Sequence, residues 1–402
     1  RPDLKQFLIS MLCVDRNVPV FGKIEDGNAS DKSVNNDVLS NISKYMAAHG
    51  LGTGAFIYIA DSAAITKKNL KTIGQDILFI SRLPATFKEC DRAIKEAVAK
   101  DAWEDVGVIA QTKPTAKRPA AYYKSYETEV TLYGESYRAV VIHSSAHDRR
   151  RQKRIERRLL EEKKALTEKC NKAVKVEYFC KEDAETAASK LSEEPCTYYE
   201  INTQVEEKPL YGKGRPRKDG FRVIKEMRYM VSAEIAEDVV AVSTFREEAG
   251  CFVLLTNVPR ETQGEQTGYD SKEILEAYKD QYGIEQDFGF LKDPVIVNSV
   301  FLKKPKRIEV LGLILLTSLL IWRLMERSMR QYVAQTGEKL PGWDHKPTDR
   351  PTSFMMTKKF MGLMIIKIGI ERRLSKPLNL DQEAFLIALG ISLSSLINPR
   401  AG

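Results

Sequence analysis

Histidine is scarce in this chain: 402 residues contain four. The six cysteines (Cys13, Cys90, Cys170, Cys180, Cys196 and Cys251) are scattered, with no Cys-x-x-Cys pair. Neither a zinc site nor a disulfide framework is expected from so few ligands at such spacings, and a reducing cytoplasm fits this cysteine usage. No secretory signal is legible, and no internal repeat is evident. Long apolar runs are also missing. The longest, Val310-Leu-Gly-Leu-Ile-Leu-Leu-Thr-Ser-Leu-Leu-Ile-Trp322, falls short of the roughly 20 residues that span a bilayer, and Arg323, Glu326 and Arg327 follow it at once. It is expected as a buried helix against a sheet, with no membrane partner. The chain opens on Arg1-Pro2-Asp3 without Met and reads as the remainder of a longer protein.

What is present is ordinary in bulk and informative in pattern. The length allows two or three domains, and 43% hydrophobic residues suits a soluble protein. The formal charge is +8 with pI about 8.9. Solvated lysines are the commoner source of such an excess; a polyanion partner is the sharper reading.

Along the chain, residues 5 to 14 and 18 to 24 read as two strands joined by Asp15-Arg-Asn17, a hairpin. Val34, Val38, Leu39, Ile42, Tyr45 and Met46 mark a helix from about Ser33 to His49, closed by Gly50, Gly52 and Gly54. Ala55-Phe-Ile-Tyr-Ile-Ala60 is a continuous apolar run, expected as a strand buried on both faces. It ends at Asp61. A carboxylate at the mouth of such a strand is either a ligand or metal site, since carboxyl ends of sheet strands favour these, or the N-cap of a helix over Ala64 to Ile73. Asp76 to Ile80 supplies another strand.

Residues 102 to 112 and 122 to 144 are β-rich, and Val223 to Val242 and Cys251 to Asn257 read as further strands. His147 to Lys175 is a highly charged helix, open to two readings: a solvated face with internal ion pairs, or a DNA contact. In Tyr211-Gly-Lys213-Gly-Arg215-Pro-Arg217-Lys218 a Gly-Arg-Pro core with flanking basic residues is similar to an AT-hook, whose arginines enter a narrow minor groove. An exposed basic loop is the simpler explanation, and it too would meet phosphates. The C-terminal segment carries apolar helices such as Ala384 to Leu389.

The sharpest pattern is Tyr278-Lys-Asp-Gln281-Tyr-Gly-Ile-Glu285-Gln-Asp-Phe-Gly-Phe-Leu-Lys292. Steps of three, four and seven residues would set Tyr278, Gln281, Glu285 and Lys292 on one face of a helix. Such a face offers a carboxylate for a metal ion, a lysine for a phosphate, and a tyrosine that stacks or hydrogen-bonds.

This spacing resembles the Tyr-(2)-Arg-(3)-Glu-(6)-Lys signature of DDE transposases in the insertion-sequence 4 superfamily, in particular its 1634-type elements. Tyr278, Glu285 and Lys292 match it, and Gln281 stands where the family usually has arginine. Asp61, in Ile59-Ala-Asp-Ser62, matches the family's second catalytic Asp, although Ser62-Ala63 replaces the Arg-Gly that often follows. The resemblance implies an α/β fold. Its RNase H-like core would have a mixed sheet with its first strand missing, interrupted by a large β-rich and helical insertion domain. It implies a first part of the core over 1–84, the insertion with its basic helix and loop over 85–260, a second part of the core over 261–335, and a helical region over 336–402.

The implied activity is cleavage of phosphodiester bonds at transposon ends and joining of the 3′-hydroxyl to target DNA. Asp61 and Glu285 would be catalytic and would hold two Mg²⁺ ions, for which Mn²⁺ can substitute, with a third carboxylate supplied upstream of Arg1. Tyr278, Gln281 and Lys292 would contact DNA, as would Lys213, Arg215, Arg217 and Lys218 of the basic loop. Double-stranded DNA, a homodimer assembled on it, and a prokaryotic cytoplasmic, nucleoid-associated location are implied as well. The alternative is a remnant that binds DNA and, lacking the first Asp, does not cut it.

Overall fold

A computed structural model describes residues 7–15, 17–29, 31–50, 52, 55–74, 77–110, 114–115, 119–146, 149–212, 224–262, 264, 267–293, 302 and 304–398. Along the chain the elements are β1 (Phe7–Val14), β2 (Val18–Asp26), α1 (Asp31–Ala48), β3 (Ile57–Ala60), α2 (Lys67–Ile73), β4 (Leu78–Arg82), α3 (Lys88–Lys100) and β5 (Glu104–Val108). There follow β6 (Tyr122–Leu132), β7 (Glu135–Ser144), α4 (Arg149–Ala173), β8 (Glu177–Tyr178), α5 (Lys181–Ser192), β9 (Tyr199–Tyr211), β10 (Ile224–Glu237), α6 (Val239–Gly250) and β11 (Cys251–Thr256). The last part holds α7 (Ser271–Lys279), α8 (Tyr282–Lys292), α9 (Pro305–Thr336), β12 (Leu340–Pro341), β13 (Pro347–Thr348), α10 (Ser353–Phe360), β14 (Ile365–Ile368), β15 (Glu371–Leu374), α11 (Leu380–Leu389) and α12 (Leu393–Ile397).

These elements fall into two compact units, one from the two ends of the chain (up to Ile42 and from Ala277), the other Ser43–Glu276. The chain passes between them within α1 and within α7. The expected domain boundaries at 84/85 and 260/261 both lie inside the second unit.

The unit Ser43–Glu276 is organised by a six-stranded mixed sheet in the order β3-β4-β11-β7-β6-β5. Its β3 and β4 are parallel, with α2 as the crossover, and the other pairings are antiparallel. Central strands read as unbroken apolar runs because both of their faces are covered: Val140, Val141, Ile142, Val253, Leu254 and Leu255 are all fully buried. Each such side chain contributes about 1.5–3 kcal/mol through burial. The expectation for β3 needs correction. It is an edge strand among the described residues, and only Tyr58 of its four residues is buried.

The β6–β7 hairpin turns on Tyr133 and Gly134, with φ of 56° and 94°. Both central residues of a two-residue type I′ loop need positive φ, which matches the right-handed twist of the strands. Glycine meets that demand freely. Tyr133 meets it at a cost, with its ring edge-to-face on Phe87.

A second sheet, β8-β10-β9, packs with α4, α5 and α6 around its own core of Ile155, Leu159, Leu166, Tyr198, Ile201, Val231 and Val242. The strand expected over Val223 to Val242 stops at Glu237 because the Asp238 side chain accepts hydrogen bonds from the Val240 and Ala241 backbone N–H groups and starts α6. Strands β5, β6, β7 and β11, all within the segment 85–260, share one sheet with β3 and β4.

In the other unit β1 and β2 pair antiparallel as the expected hairpin, with a bulge at Leu12/Cys13. They form a two-stranded sheet of their own. The 32-residue α9 starts with Pro305 at its first turn and stops at Gly337, φ 74°. It packs on β2 so closely that a Cβ on Gly312 would stand 2.1 Å from Ile24 Cδ1, and one on Gly22 2.5 Å from Leu316 Cδ1. Its C-terminal half joins Met329 and Val333 to Leu340, Phe385 and Ala388 in a small core.

The expected burial of its apolar run is overturned in part. Among the described residues α9 is the one helix long and apolar enough to cross a membrane, and 17% of its most apolar stretch is buried. Val310, Leu313 and Ile314 are more than half exposed.

Candidate functional site

Asp61 follows β3 directly. Its Oδ1 accepts a hydrogen bond from Ala63 N–H (3.0 Å), capping a single 3₁₀ turn at Ser62–Ala64. The cap reading of Asp61 is therefore realised, on a shorter helix than expected, and the side chain remains exposed. The main chain there is fixed from the next strand: the buried Ser81 hydroxyl donates to the Asp61 carbonyl (2.7 Å). Asn257 ties the same region together, accepting from Phe79 N–H (2.8 Å) and donating to the Ile77 carbonyl (2.9 Å). Burial, with the negative charge of Asp61 added, pushes the Tyr58 hydroxyl up to about 12.

Elsewhere in this unit a cleft of about 640 Å³ lies between α2 and the β6–β7 turn, bordered by Lys67, Lys71, Tyr133, Glu135, Tyr137 and Arg138. Arg138 is committed to structure. Its guanidinium pairs with Glu127 (2.6 Å) and donates to the carbonyls of Val258 and Tyr269.

The signature segment departs from a single helix. α7 ends at Lys279 and α8 begins at Tyr282, joined by a turn in which Gly283 N–H donates to the Asp280 carbonyl (3.0 Å). Tyr278 thus sits on α7, Gln281 at the start of α8, and Glu285 and Lys292 on α8. A common helical face for all four residues is overturned by this break. The step from Glu285 to Lys292 survives, seven residues along one helix.

α8 has two unlike faces. Gly283, Asp287 and Leu291, at i, i+4 and i+8, are buried. Tyr282, Glu285, Gly289 and Lys292 are exposed and follow at helical steps of three, four and three. The Lys292 ammonium lies 5.6 Å from the centre of the Phe288 ring.

The buried face is held by charge, which the sequence reading missed. Asp287 is 0% exposed, and its Oδ1 takes the Arg323 Nε–H of α9 at 2.5 Å. Arg323 in turn donates through Nη1 to Glu326 (2.6 Å), and both are more than nine-tenths buried. Glu326 accepts from the Ser353 N–H at the start of α10 (3.4 Å), while the Ser353 hydroxyl donates to the Trp322 carbonyl (2.7 Å). The Cys13 thiol of β1 donates to Asp287 Oδ2 (3.6 Å). Burial pushes the Asp287 carboxyl up against the downward pull of Arg323. It pushes the Cys13 thiol up more strongly, with the Asp287 charge adding to it, which disfavours the thiolate. A helical step of four from Gly283 to Asp287 was the available signal, together with arginine and glutamate three apart directly after an apolar run.

The remaining expected contacts divide. Lys213, Arg215, Arg217 and Lys218 lie outside the described residues. On α4 the solvated face with an internal ion pair is seen: Ile155, Leu159, Leu166 and Cys170 form the buried stripe, Arg157 pairs with Glu161 (2.8 Å), and Lys153, Arg154, Lys163 and Lys164 stand in solvent. All six cysteines are free.

Among the described residues no three His, Cys, Asp or Glu side chains cluster as metal ligands. Asp61 belongs to the unit Ser43–Glu276 and Glu285 to the other. No protein-family model matches the chain, and no curated protein matches it.

Proposed function

We propose that this chain is a DNA transposase of the DDE type, acting on phosphodiester bonds at the ends of a mobile element. The observation that supports it best is the exposed face of α8, where Glu285 and Lys292 stand seven residues apart on a helix whose other face is anchored by buried ion pairs. The second support is Asp61, an exposed carboxylate at the carboxyl end of a sheet strand with its main chain fixed from β4. The mixed sheet with a parallel β3–β4 pair is compatible with an RNase H-like core, with 149–249, which has its own sheet and core, as the part inserted into it.

In this reading Glu285 and Asp61 supply oxygen donors, the ligand type that Mg²⁺ or Mn²⁺ takes. Ions held by carboxylates of this kind would lower the pKa of an attacking water and stabilise the leaving 3′-oxygen. Lys292 neutralises a phosphate beside the cleaved bond. Tyr278 positions the DNA end by stacking or by a phosphate contact. Gln281 offers hydrogen bonds without charge, so it grips phosphate more weakly than the arginine it replaces. Duplex DNA is the partner, and pairing of two ends calls for two copies of the chain.

A second reading is favoured by a specific observation: no cluster of three candidate ligands is found among the described residues. A chain with two of three carboxylates would bind DNA and leave it uncut. A strand-transfer assay with labelled element ends and a target plasmid separates the readings, run on this chain and on a form extended upstream of Arg1. Joined products from either form support the transposase. Cutting without joining points to a nuclease, and binding without cutting in both forms points to the remnant.

A further inference from the structure

Gly289 stands in the interior of α8, on the exposed face between Glu285 and Lys292. Glycine there costs helix stability relative to alanine, because it loses more backbone freedom on folding. Its helical backbone asks for no positive φ. Among the described residues, its chain neighbours and the helix's own backbone aside, nothing lies within 4 Å of where its Cβ would stand, so no packing contact among them asks for glycine. The same unit shows what a glycine required by packing looks like. At Gly312 and Gly22 a Cβ would meet Ile24 and Leu316 at 2.1 and 2.5 Å.

The gap is bounded by chemistry. One helical turn before it is the Glu285 carboxylate, and three residues after it is the Lys292 ammonium, kept near the helix by the Phe288 ring. Rotation of α8 about its axis would carry this face away, and the Asp287–Arg323–Glu326 pairs on the opposite side oppose that rotation.

We infer that Gly289 is a contact point for a phosphodiester backbone, a bare stretch of helix where a DNA strand comes within van der Waals distance of the main chain and lays a phosphate toward Lys292. This rests on the proposed DNA-processing role of α8 and extends it to a residue whose side chain is absent. A methyl group at this position would hold the strand off by about an ångström or more, and a leucine would cover the gap.

The test sets stability against binding. Gly289→Ala and Gly289→Leu are compared with the unaltered chain and with Lys292→Ala, by fluorescence anisotropy on a labelled DNA duplex in EDTA and in Mg²⁺, alongside thermal unfolding. Gly289→Ala is expected to raise Tm by about 1–3 °C and yet weaken duplex binding about three- to tenfold, with Gly289→Leu weaker still. Because the alanine form is the more stable one, its loss of binding has no unfolding explanation. Unchanged binding in both glycine variants, with Lys292→Ala weakened, would overturn the inference and leave the α8 site standing. Unchanged binding in all three would overturn the inference together with the reading of α8 as a DNA site.

Discussion

The two candidate carboxylates are held in opposite ways. Asp61 follows an edge strand, and what fixes it is neutral: a hydroxyl from Ser81 on its carbonyl and an amide from Ala63 on its side chain. Glu285 rides on a helix whose far side is fixed by charge, Asp287 and Glu326 bracketing Arg323 out of reach of water. Neutral hydrogen bonds are each worth about 0.5–1.5 kcal/mol net. A buried ion pair adds little over an apolar pair of the same shape, yet loss of one partner is severe, because the other charge stays buried and unpaired. The strand-end carboxylate should therefore tolerate injury to its supports, while the helix carboxylate should not.

The largest expected effect is on the charged side. Asp287→Ala should destabilise the unit containing α8 by about 3–5 kcal/mol, read as a shifted denaturation midpoint. A loss below about 1 kcal/mol would mean that the pair contributes nothing to the mounting of α8. On the neutral side, Ser81→Ala should cost about 1 kcal/mol and leave the rest of the sheet intact by amide exchange.

The smallest effect is a difference in pH dependence. Burial raises the Asp287 carboxyl above its ordinary value near 3.9, so folding favours its neutral form. The stability this group contributes is present below about pH 4 and is lost as pH rises through the raised value in the folded state. The stability of the unaltered chain minus that of Asp287→Asn should accordingly fall as pH increases from about 4, and paired unfolding curves would show it. A difference rising over that range would reverse the sign and identify Arg323 as the dominant influence.

The contrast also explains what was legible in the sequence. Apolar patterning placed the hairpin, α1 and β11 close to their observed limits and marked 122–144 as β-rich, because burial of one stripe or of both faces leaves a direct trace in residue order, while α4 was legible from its run of charges. Asp61 was legible for the same reason, as the first charge after an apolar strand. Three features were hidden. The Asp238 cap turned the end of an apparent strand into α6, a local hydrogen bond overriding β-branched valines. The turn at Asp280 split the signature helix, so spacing alone misjudged where Tyr278 belongs. The buried network joins Cys13, Asp287 and Arg323 across hundreds of residues, and charged residues read as surface until a partner is known.

The proposed function assigns the chemistry to Glu285 and leaves support to Asp287, two residues on. Metal-dependent cleavage of DNA carrying the element's ends tests this most directly, with Glu285→Gln and Asp61→Asn measured beside the unaltered protein. The account predicts that cutting in Mg²⁺ is abolished by either amide while folding is retained. Cutting that persists in Glu285→Gln at the rate of the unaltered protein would contradict it.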